Sequence, residues 1–138
     1  MILYLETSNL VKLYVQESDS DEILRLVREA EAVATSIVAY VEARAAFARK
    51  FRDRGISEKD YQTVKKAFLS DWENVFVIRL TDAVAKSAGD LAEKRSLRGF
   101  DALHLASAVQ LLKSVRLPVV FSSSDARLSE AAKKEGLH

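Results

Sequence analysis

The chain has no cysteine, one proline and four glycines among its 138 residues. The absence of cysteine excludes disulfide bonds, thiolate metal ligands and cysteine nucleophiles, and it suits a reducing compartment. Because proline and glycine are scarce, long irregular stretches are not expected. Neither sign of charge is in excess, since the formal net charge is +1. Any binding of a polyanion must therefore depend on a local arrangement of basic residues.

Long uncharged apolar runs are also missing. The apolar segment near the amino terminus, residues 2–5, is too short for a signal peptide or a membrane span, and no later run is long enough to cross a bilayer. Hydrophobic residues make up 49% of the chain and charged residues 30%, which is the composition of a globular protein. We therefore expect a single domain over residues 1–138, without a membrane partner and located in the cytoplasm.

What the chain does contain is an alternation of short apolar runs with helical segments. The runs that predict buried strands cover residues 2–5, 32–35, 75–78 and 118–121. Residues 102–112 are apolar nearly all round, which predicts a central buried helix. Short strands separated by helices require crossover connections. The sequence therefore predicts an α/β fold, with a mostly parallel central sheet of four to five short strands flanked by helices.

The helix ends carry local signals of their own. Thr7 or Ser8 is expected to cap the helix that follows the first strand, because a side-chain oxygen there can accept a hydrogen bond from a free backbone amide. Gly55 is expected in the left-handed position that ends the helix after the second strand.

Four acidic residues occupy positions that matter in such a fold, because parallel α/β sheets bind ligands beyond the carboxyl ends of their strands. Glu6 and Asp125 follow the first and fourth strands, and Asp101 begins the central helix. Glu42 lies within a helix beside its apolar stripe, where a carboxylate is costly unless it is paired or bound to a metal. Ordinary explanations also exist: the first three suit caps and turns, and Glu42 has arginines on its own helix, among them Arg44.

If these carboxylates converge, they repel one another and need a cation to remain ionised. A site made only of oxygen ligands favours Mg²⁺ or Mn²⁺ over zinc. The chemistry that follows is metal-assisted hydrolysis of a phosphodiester, and the predicted catalytic and metal-binding residues are Glu6, Glu42, Asp101 and Asp125.

Several neighbours fit this chemistry but also have plain structural roles. Ser8 and Ser123 can hydrogen-bond a phosphate or a water, or simply complete a helix turn and a loop. Candidate contacts to a nucleic-acid backbone are the basic side chains of Lys12, Arg44 and Arg98, which are equally typical of solvated helix faces. His104 is predicted to be a packed, hydrogen-bonded core residue rather than a ligand.

Four segments together resemble the PIN-domain ribonucleases, and more closely the VapC-type toxins of prokaryotic toxin–antitoxin pairs. The segments are LETSNLVKLY (5–14), AYVE (39–42), RGFDALHLA (98–106) and SSSDARL (122–128). Their order and spacing make the resemblance specific, and it covers essentially the whole chain. It implies an Mg²⁺- or Mn²⁺-dependent endoribonuclease that acts on RNA, forms a homodimer and is neutralised by a small antitoxin whose tail enters the acidic groove. The site residues it implies are Glu6, Glu42, Asp101 and Asp125, with Ser123 in support.

One position departs from the family pattern, in which the first acid is normally aspartate. Glu6 stands there in this chain, and its extra methylene moves the carboxylate by about 1.5 Å. Mg²⁺ demands near-ideal octahedral geometry. Two functions therefore stay open. One is a metal-dependent endoribonuclease, weakened or not by Glu6, and the other is a catalytically impaired PIN-like module that binds RNA or an antitoxin without cutting.

Overall fold

The computed structural model describes all 138 residues. Its centre is a four-stranded sheet in which every neighbouring pair of strands is parallel. The strands are β1 (Ile2–Leu5), β2 (Ala32–Ser36), β3 (Phe76–Ile78) and β4 (Val119–Ser122). Their order across the sheet is β3-β2-β1-β4. The predicted α/β fold is confirmed, with four strands in the sheet.

Helices make the connections between the strands, because parallel neighbours cannot be joined by a tight turn. There are seven: α1 (Thr7–Val11), α2 (Ser20–Glu29), α3 (Val38–Arg52), α4 (Glu58–Trp72), α5 (Asp82–Arg95), α6 (Gly99–Ser114) and α7 (Ala126–Lys134). None of them has both the length and the apolar character needed to cross a bilayer.

The two faces of the sheet are covered by separate apolar clusters. Tyr4 belongs to a cluster of 17 buried residues that includes most of the buried side chains of α6, whereas Leu3 and Leu5 belong to a cluster of nine around Phe47 and Phe68. This division follows from the alternation of side chains along a strand. Seven residues of α6 are buried, which confirms the predicted central helix.

The parallel register brings the carboxyl ends of β1 and β4 together. Leu5 is aligned with Ser122, the last residue of β4, and the Glu6 amide donates a 3.0 Å hydrogen bond to the Ser122 carbonyl. Since β1 lies between β2 and β4, the residue that follows it is flanked by strand ends on both sides. The fold therefore places Glu6 at the middle of this edge.

Two predicted helix ends are wrong. Glu6, rather than Thr7 or Ser8, is the N-cap of α1, because its carboxylate accepts a hydrogen bond from the Ser8 amide. Arg54, with φ 59°, takes the left-handed conformation beyond α3 that was expected of Gly55. In both cases the capping role lies one or two residues before the predicted position.

Candidate active site

Glu6 joins the ends of β1 and β4. Its Oε2 atom accepts hydrogen bonds from the Ser8 amide at 3.2 Å, from the Ser8 hydroxyl and from the Ser123 hydroxyl at 2.8 Å. Only 8% of Glu6 is exposed. The predicted supporting residues Ser8 and Ser123 are thus in contact with the first acid. One oxygen of that acid is fully engaged by donors from the protein.

Asp101 and Asp125 line one small cavity of about 130 Å³, together with Ser96, Leu97, Arg98 and Arg127. Asp101 lies in the first turn of α6. Asp125 is the N-cap of α7. Its Oδ1 atom accepts hydrogen bonds from the amides of Arg127 and Leu128, at 2.9 and 3.2 Å. We call this region, defined by Asp101, Asp125, Arg98 and Arg127, the open half of the site.

The charges in the open half act on Asp101. Burial raises the pKa of Asp101 above its ordinary value, and the carboxylates of Asp125 and Glu6 raise it further. The opposing effects of His104 and Arg98 are smaller and do not reverse the direction. Three of the four predicted acids are therefore close enough to repel one another. Ionised Asp101 is left in need of a further positive charge.

Glu42 has different surroundings. Its Oε1 atom accepts a 2.7 Å hydrogen bond from the Thr7 hydroxyl and lies 2.8 Å from Nε2 of His104. On the other side of the imidazole ring, Nδ1 lies 2.8 Å from the hydroxyl of Tyr4. His104 is 1% exposed and Tyr4 is fully buried. We call Glu42, Thr7, His104 and Tyr4 the buried half of the site.

The hydrogen-bond donors of the buried half can be assigned. Burial raises the pKa of Tyr4 well above its ordinary value, so the phenol keeps its proton, and its hydroxyl is hydrogen-bonded to Nδ1 of His104. An ionised carboxylate can only accept, so Nε2 of His104 carries the proton of its hydrogen bond with Glu42. Burial alone would raise the pKa of Glu42, but the hydrogen bonds from His104 and Thr7 outweigh it and lower the pKa below its ordinary value. Glu42 is therefore held as an oriented carboxylate.

The acidic side chains of the site suit one of the ways in which proteins bind divalent ions. No group of three or more histidine or acidic side chains is arranged to hold an ion by itself. Mg²⁺ usually keeps several waters and is held by one or two carboxylates together with substrate phosphates. Asp101 and Asp125, which line one cavity and of which Asp101 has a raised pKa, fit that mode. The expected convergence of four acids into one cluster is replaced by two neighbouring arrangements.

The three basic residues predicted to contact a nucleic acid lie in different environments. Arg98 is exposed and lines the open half. Arg44 donates to the Tyr40 hydroxyl at 2.8 Å and stacks over its ring, so it is not the partner of Glu42. Lys12 is only 8% exposed and forms a 2.7 Å ion pair with Asp19. The expectation of a solvated Lys12 is wrong, and its ammonium is engaged within the protein.

His104 is confirmed as a packed, hydrogen-bonded core residue, but it also contacts a candidate site residue. No local pattern indicates this contact, since His104 and Glu42 are 62 residues apart. Thr7 and Arg127 were likewise not among the predicted site residues. The sequence predicts only a capping role for Thr7. Arg127 stands two residues after Asp125, and this proximity is the only feature of the sequence that links it to the site.

Comparison with known proteins agrees with this architecture. The model of the PIN domain family matches residues 3–134, and the chain belongs to this family. Within it, the chain is similar to proteins named VapC from Mycobacterium tuberculosis. Ribonuclease VapC49 is 34% identical over 108 residues, which are 78% of this chain and 75% of that protein. Ribonuclease VapC46 is 32% identical over 135 residues, which are 98% of this chain and 93% of that protein.

Solved structures share the fold at lower identity. FitAcB from Neisseria gonorrhoeae superposes with a TM-score of 0.69 at 15% identity, covering 96% of this chain and 94% of that chain. VapBC2 from Rickettsia felis, bound to a DNA fragment from its promoter, gives a TM-score of 0.64 at 17% identity, covering 95% and 93%. At these identities the likeness concerns the fold.

Proposed function

We propose that this protein is a ribonuclease toxin of the VapC type, which hydrolyses RNA phosphodiester bonds with Mg²⁺ or Mn²⁺ held in the open half of its site. The observation that carries the proposal is the cavity shared by Asp101 and Asp125, where burial, and after it the Asp125 carboxylate, raises the pKa of Asp101. A divalent ion neutralises such a pair and stabilises the charge that develops on a phosphodiester during hydrolysis. The relatives named ribonucleases support RNA as the substrate class.

The residues of the chain have distinct roles in this function. Asp101 and Asp125 hold the ion, and Arg98, on the wall of the same cavity, contacts the phosphate. Glu42 remains ionised and fixed by Thr7 and His104, so it offers an oriented acceptor for a proton or for an ion's water.

We also propose an antitoxin as the protein partner. Solved structures with this fold include a toxin–antitoxin complex from Klebsiella pneumoniae, with a TM-score of 0.61 at 20% identity over 89% of this chain and 88% of that chain. Large apolar side chains are exposed directly beside two of the acids: Val41, 67% exposed, precedes Glu42, and Phe100, 59% exposed, precedes Asp101. Exposed apolar groups next to a charged site are typical of a protein interface. A homodimer in the cytoplasm completes the proposal.

A second candidate function is supported by Glu6. The Oε2 atom of Glu6 already accepts three hydrogen bonds, which leaves it poorly available to an ion. A chain with such a residue in the first acidic position would bind RNA or an antitoxin without cutting.

The experiment that separates the two functions is cleavage of a fluorogenic RNA at increasing Mg²⁺ or Mn²⁺, with a chelator as the blank. Asp125→Asn is the informative variant, because asparagine is as good an N-cap as aspartate and removes only the charge. Asp90→Asn, at an exposed acid of α5, is the matched control. We expect metal-dependent cleavage that Asp125→Asn abolishes and Asp90→Asn leaves unchanged. RNA binding without metal-dependent cleavage in the unaltered protein contradicts the nuclease and favours the second candidate.

A further inference from the structure

A second cavity adjoins the open half of the site. Its volume is about 300 Å³, and it shares two of its lining residues, Ser96 and Arg127, with the cavity that contains Asp101 and Asp125. The two cavities therefore lie side by side along the surface between α5 and α7.

The second cavity is lined mainly by cations. Its basic side chains are Lys94, Arg95, Arg127 and Lys134, and the only acid on its wall is Glu130. Behind it, Glu135 accepts from Arg95 at 2.9 Å and from Lys94 at 3.2 Å. Two carboxylates thus face four cations, and the balance is positive. The cavity that contains Asp101 and Asp125 is thus followed directly by a basic one.

The basic side chains do not all have partners inside the protein. Lys134 forms no hydrogen bond or ion pair, and Lys94 is 60% exposed although it contacts Glu135. Arg127 donates one hydrogen bond, from Nη2 to the Ser96 carbonyl at 3.2 Å. Most of the donors of these side chains therefore remain available to an anion in the cavity.

The backbone that separates the two cavities is fixed. Ser96 ends α5 in a left-handed conformation, φ 54°, and its carbonyl is the acceptor for Arg127. The ion pairs of Arg95 and Lys94 with Glu135 tie the end of α5 to the end of α7. Since these contacts join the ends of the two helices, the basic cavity is held beside the cavity that contains the two acids.

We propose that this basic groove, formed by Lys94, Arg127 and Lys134, binds the phosphate backbone of a single RNA strand beside the bond that is cut. The proposal rests on the proposed nuclease function. An RNA that crosses the open half must continue on both sides of it, and the basic groove is continuous with one side. A cavity of about 300 Å³ is at the lower end of the sizes that hold small ligands. It accommodates a sugar–phosphate unit.

The test measures binding separately from cleavage. A labelled single-stranded RNA is titrated by fluorescence anisotropy in a chelator, where the chain cannot cut, at a series of salt concentrations. For single strands the slope of log affinity against log salt falls by about 0.7 for each phosphate contact that is lost. We expect Lys94→Gln and Lys134→Gln each to reduce the slope by about 0.7, and to weaken binding equally for RNAs of different sequence.

Lys113→Gln is the matched control, because it removes the same charge from an exposed lysine in the last turn of α6, far along that helix from Asp101. It should leave the slope unchanged. Thermal unfolding of each variant checks that the fold is intact. An acidic peptide is the alternative ligand of the groove. Poly-glutamate represents it and is added as a competitor of the labelled RNA.

The outcomes are distinct. Reduced slopes for both groove variants and not for the control support the groove. Unchanged slopes overturn it, and if the unaltered protein still cleaves RNA with added metal, the nuclease function stands without it. Substitutions that weaken poly-glutamate binding but not RNA binding assign the groove to an acidic peptide and also overturn the proposal. Failure of the unaltered protein both to bind and to cleave RNA overturns the groove and the nuclease together.

Discussion

The two halves of the candidate site solve the problem of a partly buried carboxylate in opposite ways. In the buried half, Glu42 receives hydrogen bonds from Thr7 and His104, and its pKa is lowered. In the open half, Asp101 receives no such donors; burial and the neighbouring carboxylates raise its pKa. A carboxylate that the protein satisfies is oriented in advance, whereas one that the protein leaves unsatisfied has to take its positive charge from outside. Under the proposed function, this difference assigns the ion to the open half.

The largest effect is expected from Asp101→Asn. This variant removes a proposed ion ligand from the open half, so metal-dependent RNA cleavage should fall by more than the ~100-fold that is the upper range for residues behind the ligands. Without metal, the same variant should keep or raise the melting temperature, because a source of repulsion has gone. Cleavage assays and thermal unfolding with and without Mg²⁺ measure both effects.

The comparison fails if Asp101→Asn lowers the melting temperature in a chelator while cleavage persists. Such a result would mean that Asp101 is a structural acid. Asp90→Asn serves as the control here as well.

The next largest effect is expected at Glu6, which forms no ion pair and is hydrogen-bonded to Ser8 and Ser123 instead. Glu6→Asp shortens the side chain by one methylene and should increase Mg²⁺-dependent cleavage, by up to ~100-fold, because a misplacement of about 1 Å can cost that much. Initial rates on a fluorogenic RNA at saturating Mg²⁺ measure it. Equal or slower turnover would show that Glu6 is not a misfitted ligand, and that its contacts with Ser8 and Ser123 are its function.

A smaller loss is expected when the buried half is loosened. His104→Leu removes the donor to Glu42 and leaves the Tyr4 hydroxyl without its hydrogen-bond partner, so cleavage should fall by about 10–100-fold. His104→Gln, which restores an amide donor, should recover part of the rate. Cleavage rates and melting temperatures of both variants are compared. If the two variants are equally inactive and equally unstable, His104 has a structural role alone.

The smallest effect is in the pH dependence of stability without metal. The pKa of Glu42 is lower in the folded protein than its ordinary value of 4.5, so its contribution is present above that value and is lost as the pH falls through the folded pKa. The pKa of Asp101 is higher than its ordinary 3.8, so ionised Asp101 costs stability, and this cost disappears as the pH falls through its folded pKa. As the pH falls, the contributions of Glu42 and Asp101 to the free energy of unfolding should therefore change in opposite directions.

Urea unfolding between about pH 3 and pH 7 in a chelator checks this difference. Glu42→Gln should reduce the loss of stability in acid, whereas Asp101→Asn should enlarge the difference between neutral and acid pH. If both variants change the pH dependence of the free energy of unfolding in the same direction, the contrast between the halves is contradicted.

Much of the fold follows from local patterns. The strand predicted at residues 32–35 is confirmed as Ala32–Ser36, and the buried helix predicted at 102–112 is the centre of Gly99–Ser114. Both rest on short-range periodicity, which burial on the two faces of a sheet imposes on the chain. The roles of Glu6 and Arg54 at helix ends do not follow from local patterns. Several neighbouring residues can accept a hydrogen bond from a free amide or adopt the left-handed conformation, and the sequence does not say which one does.

For the site, the sequence selected acids at strand ends and helix starts, and the shared cavity of Asp101 and Asp125 fits that reasoning. It could not find the partners of Glu42, because Thr7 and His104 lie 35 and 62 residues away. Nor could it show that Lys12 turns inward to Asp19. Long-range hydrogen bonds and burial are properties of packing, and they leave no periodic signal.

The sequence by itself determined the class of fold and the residue types from which a site for a divalent ion can be built, because apolar periodicity and carboxylate chemistry are local properties. Only the tertiary structure decided which acids are satisfied and which are not, since that depends on side chains distant in the chain. Thr7 and His104 reach Glu42, and Tyr4 reaches His104, while Asp101 shares its cavity with Asp125.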